Sequence, residues 1–167
     1  MNPSLRLLGI DPGLQRCGWG IIIADGARLS YVAHGVVKSD VKQSLAERLN
    51  AIMTGLEEVI AAHAPDEAAV EETFVNSNAR SALALGQARG AAMIAPARAG
   101  LKVSEYSPAV IKKALVGNGH AEKDQVAFMV RRLLPAAGAV SADAADALAI
   151  ALCHAAHGNF RRKTGSE

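Results

Sequence analysis

Apolar positions along this chain first come in short runs and later recur at helical spacing. Residues 6–10 form a short apolar run that predicts a buried strand, closed by the turn signal Asp11-Pro12-Gly13. A second strand is expected over 18–24. Asp25-Gly26 then predicts a hairpin into a third, about 28–37. Ser44-Leu45-Ala46-Glu47 has the form of a capping box, so a helix should begin there. Leu45, Leu49, Ile52, Leu56, Val59 and Ile60 keep the helical period, and the helix should end before Pro65. A short strand follows at 68–71. After the polar stretch Asn76-Ser77-Asn78 comes a small-residue helix over about 80–95. A fifth strand is predicted at 101–106. Ser107-Pro108 supplies an N-cap and a first-turn proline for a helix ending near Val116, at Gly117-Asn118-Gly119. Two more helices are expected, over about 121–134 and from the cap Ser141 to about His157. Three hairpin-linked strands followed by strands alternating with helices predict an α/β domain. Its mixed five-stranded sheet should be antiparallel first and parallel later, with helices packed on its faces.

Composition narrows this picture without naming a function. A chain of 167 residues, half hydrophobic and a fifth charged, suits a single soluble domain over 1–158. Residues 159–167, with Arg161-Arg162-Lys163, read as a basic disordered tail. A net charge of +2 is too small to argue for nucleic acid by itself. No apolar stretch is long enough for a bilayer and the N-terminus lacks the form of a signal peptide, so the cytoplasm is the expected location. Cys17 and Cys153 are far apart and show no zinc-ligand or disulfide-framework spacing.

Four carboxylates stand where the scaffold alone does not require them. Asp11 follows the first strand, and Glu71 or Glu72 ends the fourth. Asp143 and Asp146, three residues apart, share one face of the last helix. Strand ends at one edge of an α/β sheet are where such folds place their sites. Clustered carboxylates repel one another unless a cation lies among them, and oxygen donors favour Mg²⁺ or Mn²⁺ over zinc. Each acid also has a plain structural explanation. Asp11 suits a turn before Pro-Gly, Asp143 suits the positive end of a helix, and a strand end tolerates a solvated Glu. Alternation of strand faces allows only one of Glu71 and Glu72 to enter the site.

Taken in order along the chain, four motifs resemble one family. They are Gly9-Ile10-Asp11-Pro12-Gly13 with Gly18 and Gly20; Leu85-Gly86-Gln87-Ala88-Arg89-Gly90; Ala121-Glu122-Lys123; and the run from Ala142 to Ala151 that holds Asp143 and Asp146. Over about 7–154 the chain resembles the RuvC family of bacterial crossover-junction endonucleases. The resemblance implies a ribonuclease H-like fold and a homodimer that cuts four-way (Holliday) junction DNA by paired symmetric nicks. It implies Mg²⁺ as cofactor, two ions per subunit, with Mn²⁺ able to substitute. It further implies RuvA and RuvB, the branch-migration helicase complex, as partners in recombination and repair. Asp11, Glu71, Asp143 and Asp146 take the metal-binding positions, and Glu71 is chosen over Glu72 because the family acid directly follows the apolar run. Some family members carry His where this chain has Asp143.

Lys112 and Lys123 match family positions near the scissile phosphate, where cations neutralise developing charge. Without the family match, both would read as solvated helix residues. Phe74 matches an aromatic used at the junction centre and suits stacking on an unpaired base, with core packing as the alternative. The chain departs from some relatives in having no basic residue at Asn76–Asn78; Arg80 is the nearest cation and the candidate DNA contact there. Gly86 and Gly90, inside a helix, each cost about 1 kcal/mol relative to Ala, which calls for close helix approach either between subunits or within one. His154 and His157 share a face at a helix C-terminus, where imidazole complements the dipole. Two other functions stay open at this point: a ribonuclease H-like nuclease acting on RNA or hybrid duplex, and a non-catalytic junction-binding module. Retention of all four acids argues against the second.

Overall fold

The computed structural model describes residues 3–72 and 78–164, the last six of these as helix backbone only. Its elements, in chain order, are β1 (Leu5–Asp11), β2 (Arg16–Asp25), β3 (Arg28–Lys38), α1 (Leu45–His63), β4 (Glu67–Glu71), α2 (Ala79–Arg98), β5 (Lys102–Tyr106), α3 (Pro108–Val116), α4 (Lys123–Leu133) and α5 (Ala142–Thr164). The sheet order is β3-β2-β1-β4-β5. β1, β2 and β3 pair antiparallel, while β4 lies parallel to both β1 and β5. This is the mixed sheet expected from the sequence.

Alternation along the strands separates two cores. Leu8, Ile10, Ala68 and Val70 face α1 and α2, packing with Ile52, Leu56, Ala92 and Ala95. Leu7 and Ala69 face the other side and pack with Leu148, Ile150 and Leu152 of α5. Residues 7, 9 and 11 of β1 therefore point toward α5, as do 69 and 71 of β4. The same parity puts Glu71, the last residue of β4, on the α5 face.

Local signals account for most boundaries. Ser44 and Glu47 exchange the reciprocal capping-box hydrogen bonds, and α1 stops at Ala64, just before Pro65. Ser107 accepts from the Val110 N–H and Ser141 from the Ala144 N–H, so both act as caps. Three boundaries differ from expectation. Helix α2 passes through Pro96 to Arg98; buried Ala92, Ala95 and Pro96 hold the turn against the sheet despite the missing proline N–H. Helix α4 begins at Lys123 rather than 121. Glu122 is its cap, with the Gln125 side chain accepting from the Glu122 N–H at 2.9 Å. Helix α5 runs to Thr164, past the end expected near His157 and into the segment read as a tail. Gly158 weakens that helix without stopping it. No proline follows to end it. A short 3₁₀ turn at Pro135–Ala137, absent from the sequence-based expectation, joins α4 to α5.

Among the described residues, no helix is long and apolar enough to cross a membrane. Cys17 and Cys153 are both free and buried.

Candidate active site

The site forms where β1 and β4 end side by side. Their parallel register runs from Leu7 opposite Glu67 to Ile10 opposite Val70, so the next residues, Asp11 and Glu71, emerge together on the α5 face. Helix α5 enters this edge with its N-terminal turn. It lies so close to the sheet that Gly9 and Gly18 have no room for a side chain beneath it. A Cβ built on Gly18 would run into the Asp143 carbonyl group, and one on Gly9 into the Ala147 carbonyl. These glycines of the first motif thereby carry Asp143 and Asp146 to the two strand acids. The sequence had linked Gly9 and Gly18 to a family pattern without showing this contact.

Electrostatics report how close the acids are. Burial first, and then the charges of Asp146, Glu71 and Asp143, push the Asp11 carboxyl up to about 8. Burial and Asp146 raise Glu71, while Lys123 and Lys112 pull it back down. Asp146 is raised chiefly by burial, against the opposing pull of Lys123. Glu71, Asp146, Lys112 and Lys123 line one cleft, floored by Ile111, Val126 and Ile150. The Lys123 ammonium stands 3.6 Å from the Asp146 carboxylate, and with its side chain 87% exposed it is free to swing to a phosphate. Lys112 is half-buried in the first helical turns of α3.

Among the described residues, no three Asp, Glu, His or Cys side chains already stand in position to share one ion. Two cations engage the helix acids instead: Lys123 with Asp146, and Arg16 with Asp143, its Nε donating to Oδ2 at 2.7 Å. The donor chemistry still fits a hard divalent cation. All four acids are oxygen donors, three are raised by burial and their neighbours, and the nearby Cys17 thiol is pushed up to about 12 and stays protonated. Arg16 had no signal in the sequence, because 127 residues separate it from Asp143.

The other sequence candidates are placed as follows. Arg80 is exposed near the start of α2. Phe74 lies outside the described residues. His154 does not sit at a solvated helix end. It is buried, sharing hydrogen bonds of 2.7 Å with the Tyr106 hydroxyl and the Glu67 carboxylate, so packing against β4 and β5 decides its role. Ring Nδ1 of His157 lies 2.9 Å from the Cys153 carbonyl, one turn back on the same helix. Among the described residues, nothing approaches within 4 Å of a Cβ added to Gly86 or Gly90.

A sheet of this topology with acids from two strand ends and one helix, flanked by lysines, defines a nuclease of ribonuclease H-like fold. The model of the family described as "Crossover junction endodeoxyribonuclease RuvC" matches residues 7–154. The chain belongs to that family. It is 61% identical to the crossover junction endodeoxyribonuclease RuvC of Rhodospirillum rubrum over 151 residues, covering 90% of this chain and 89% of the relative. The corresponding protein of Caulobacter sp. (strain K31) is 58% identical over 151 residues, with the same coverage. Among solved structures, T. thermophilus RuvC in complex with a Holliday junction substrate superposes with a TM-score of 0.84 at 37% identity, covering 93% of this chain and 96% of that one. The yeast mitochondrial Holliday junction resolvase Ydc2 shares the fold, with a TM-score of 0.71 at 13% identity.

Proposed function

We propose that this chain resolves four-way DNA junctions by paired symmetric nicks, hydrolysing one phosphodiester in each of two opposed strands. The observation that carries the reading is the meeting of Asp11, Glu71, Asp143 and Asp146 at one sheet edge, beside Lys112 and Lys123. The similarity to a RuvC solved with a Holliday junction substrate supports junction DNA as the substrate class.

The four carboxylates would hold two divalent cations per subunit, Mg²⁺ with Mn²⁺ as substitute. Bound there, such a pair supplies charge stabilisation for the attacking and leaving oxygens of an in-line displacement. Lys112 and Lys123 neutralise the scissile phosphate and the charge that builds in its transition state. Arg80 contributes to backbone attraction from the edge of α2, and Phe74 supplies a ring for an unpaired base at the crossover.

The acting species is a homodimer. Leu83 and Ile94 on α2 are 64% and 48% exposed, on the helix that also carries Gly86 and Gly90. Two helices can approach closely across such a surface, and an isologous pair matches the two-fold character of a junction. RuvA and RuvB are the partners that the family resemblance implies, and the cytoplasm is the location the reading expects. Incubating the protein with a mobile four-way junction, a hybrid duplex and single-stranded RNA in Mg²⁺, then mapping the cuts, tests the reading. Paired nicks confined to the junction are expected. Preferential cutting of RNA would overturn it. Light scattering should give about twice the 17.3 kDa chain mass, and Leu83→Asp should shift it toward monomer.

A further inference from the structure

Helix α2 contributes no acid to the site, yet one of its side chains reaches the strand end that does. Arg89 crosses from α2 on the opposite face of the sheet and donates its Nε–H to the backbone carbonyl of Glu71 at 3.0 Å. Its terminal nitrogen Nη2 pairs with Glu105 of β5. The guanidinium is held in place, with only 20% of the side chain exposed. A planar fork with several donors can serve a carbonyl and a carboxylate together, whereas an ammonium on a flexible stem cannot hold both in one fixed geometry.

The strand end needs such a holder. Pairing of β4 with β1 stops at Ile10 opposite Val70, one residue short of Glu71. On the other side the ladder with β5 closes at Glu71 opposite Tyr106, with the Glu72 N–H donating to the Tyr106 carbonyl at 2.8 Å. Glu71 is therefore the last paired residue of its strand, and Arg89 holds its carbonyl from outside the ladder. Lys123 and Lys112 are the cations that act on the Glu71 carboxyl itself. Arg89 holds the backbone carbonyl rather than the carboxyl, so its influence is geometric. Charge-assisted bonds of this kind are about twice as strong as neutral ones.

We propose that Arg89 is a positioning residue for strand cleavage, fixing from helix α2 the end of β4 and thereby the direction of the Glu71 carboxylate. This rests on the metal-binding reading of Glu71 given above. Misplacing a reacting group by about 1 Å can cost on the order of a hundredfold in rate. The same link joins the site to the helix that bears the dimer surface.

Arg89→Met and Arg89→Lys test the proposal, with Glu105→Gln and Glu71→Gln measured beside them. Three quantities are followed: single-turnover cleavage of a four-way junction at saturating protein, junction affinity in Ca²⁺, and Mn²⁺ binding to the DNA-free protein by electron paramagnetic resonance. Arg89→Met should lose at least about tenfold in rate and bind Mn²⁺ several-fold more weakly, with junction affinity unchanged. Arg89→Lys should fall between it and wild type. Glu105→Gln should stay near wild type, since the carbonyl remains held. Wild-type rate and Mn²⁺ binding in Arg89→Met would overturn the proposal, as would an equal defect in Glu105→Gln. If Arg89→Met does not fold, Arg89→Lys carries the test by the same two criteria. A Glu71→Gln protein that cuts and binds Mn²⁺ normally would instead sink the reading of Glu71 as a metal ligand.

Discussion

Gly9 lies directly beneath α5: a Cβ added to it would stand 2.7 Å from the Ala151 nitrogen and closer still to the Ala147 carbonyl oxygen. Both contacts are backbone, so neither can rotate away. Gly9→Ala must lift α5 from β1, and overpacking of this kind costs about 1–3 kcal/mol or more. Because α5 carries Asp143 and Asp146, the expected result has two parts. The melting temperature falls by several degrees, and cleavage falls further than stability explains. Thermal unfolding and single-turnover cleavage at a temperature where the variant is folded would check this. A folded variant with wild-type activity would show that α5 can shift without moving its acids.

Neutralising any one of the four acids should stop the chemistry and leave the substrate bound. On the proposed function, Asp11→Asn, Glu71→Gln, Asp143→Asn and Asp146→Asn would each remove a ligand for the cation, while also removing negative charge beside phosphate. Cleavage should fall at least about a thousandfold, with junction affinity equal or tighter in a gel-shift titration. A near-normal rate in one variant would remove that residue from the metal-binding set.

The acid cluster should make stability depend on pH in a way that a divalent cation suppresses. Burial and the neighbouring acids push the Asp11 carboxyl from its ordinary value of 3.8 up to about 8 in the folded protein. Between these values the folded state holds more protons than the unfolded one, so the stability it gains is greatest at low pH. That gain is lost as pH rises toward 8. Glu71 and Asp146, raised in the same direction, add to the slope. In a chelator, the midpoint of urea unfolding should fall as pH rises from 5 to 8.5. With Mg²⁺ the fall should flatten, and metal binding at pH 7 should release protons, measurable by calorimetry in buffers of different ionisation heat. A slope that is the same with and without Mg²⁺ would contradict a cation among these acids.

Lys112→Ala and Lys123→Ala should lower the rate more than the affinity. Both line the cleft that holds Glu71 and Asp146, where charge accumulates as the phosphate is attacked. Losses of about 10–100-fold in single-turnover rate are expected, with less than threefold change in junction binding. Equal losses in both would mark them as ordinary contacts to the DNA backbone.

Much of this architecture was legible in the sequence because it is written at short range. The capping box at Ser44, the Ser107-Pro108 start of α3 and the Asp25-Gly26 hairpin are each complete within a few residues, and each formed where expected. The two-residue period of β1 and β4 was enough to put Asp11 and Glu71 on a common face once the strands paired. The Asp143 and Asp146 spacing alone put those acids on one face of a helix. What only the tertiary structure decided lies between residues distant in sequence. Arg16 on Asp143, Arg89 on the Glu71 carbonyl and His154 between Tyr106 and Glu67 leave no periodic trace, because each depends on how helices settle on the sheet. The same holds for the passage of α2 through Pro96, where buried alanine packing outweighs a local helix breaker. Periodicity and caps act through neighbouring backbone groups and are readable from one chain segment. Contacts across layers are set by the shape of the packed core, which no segment holds by itself.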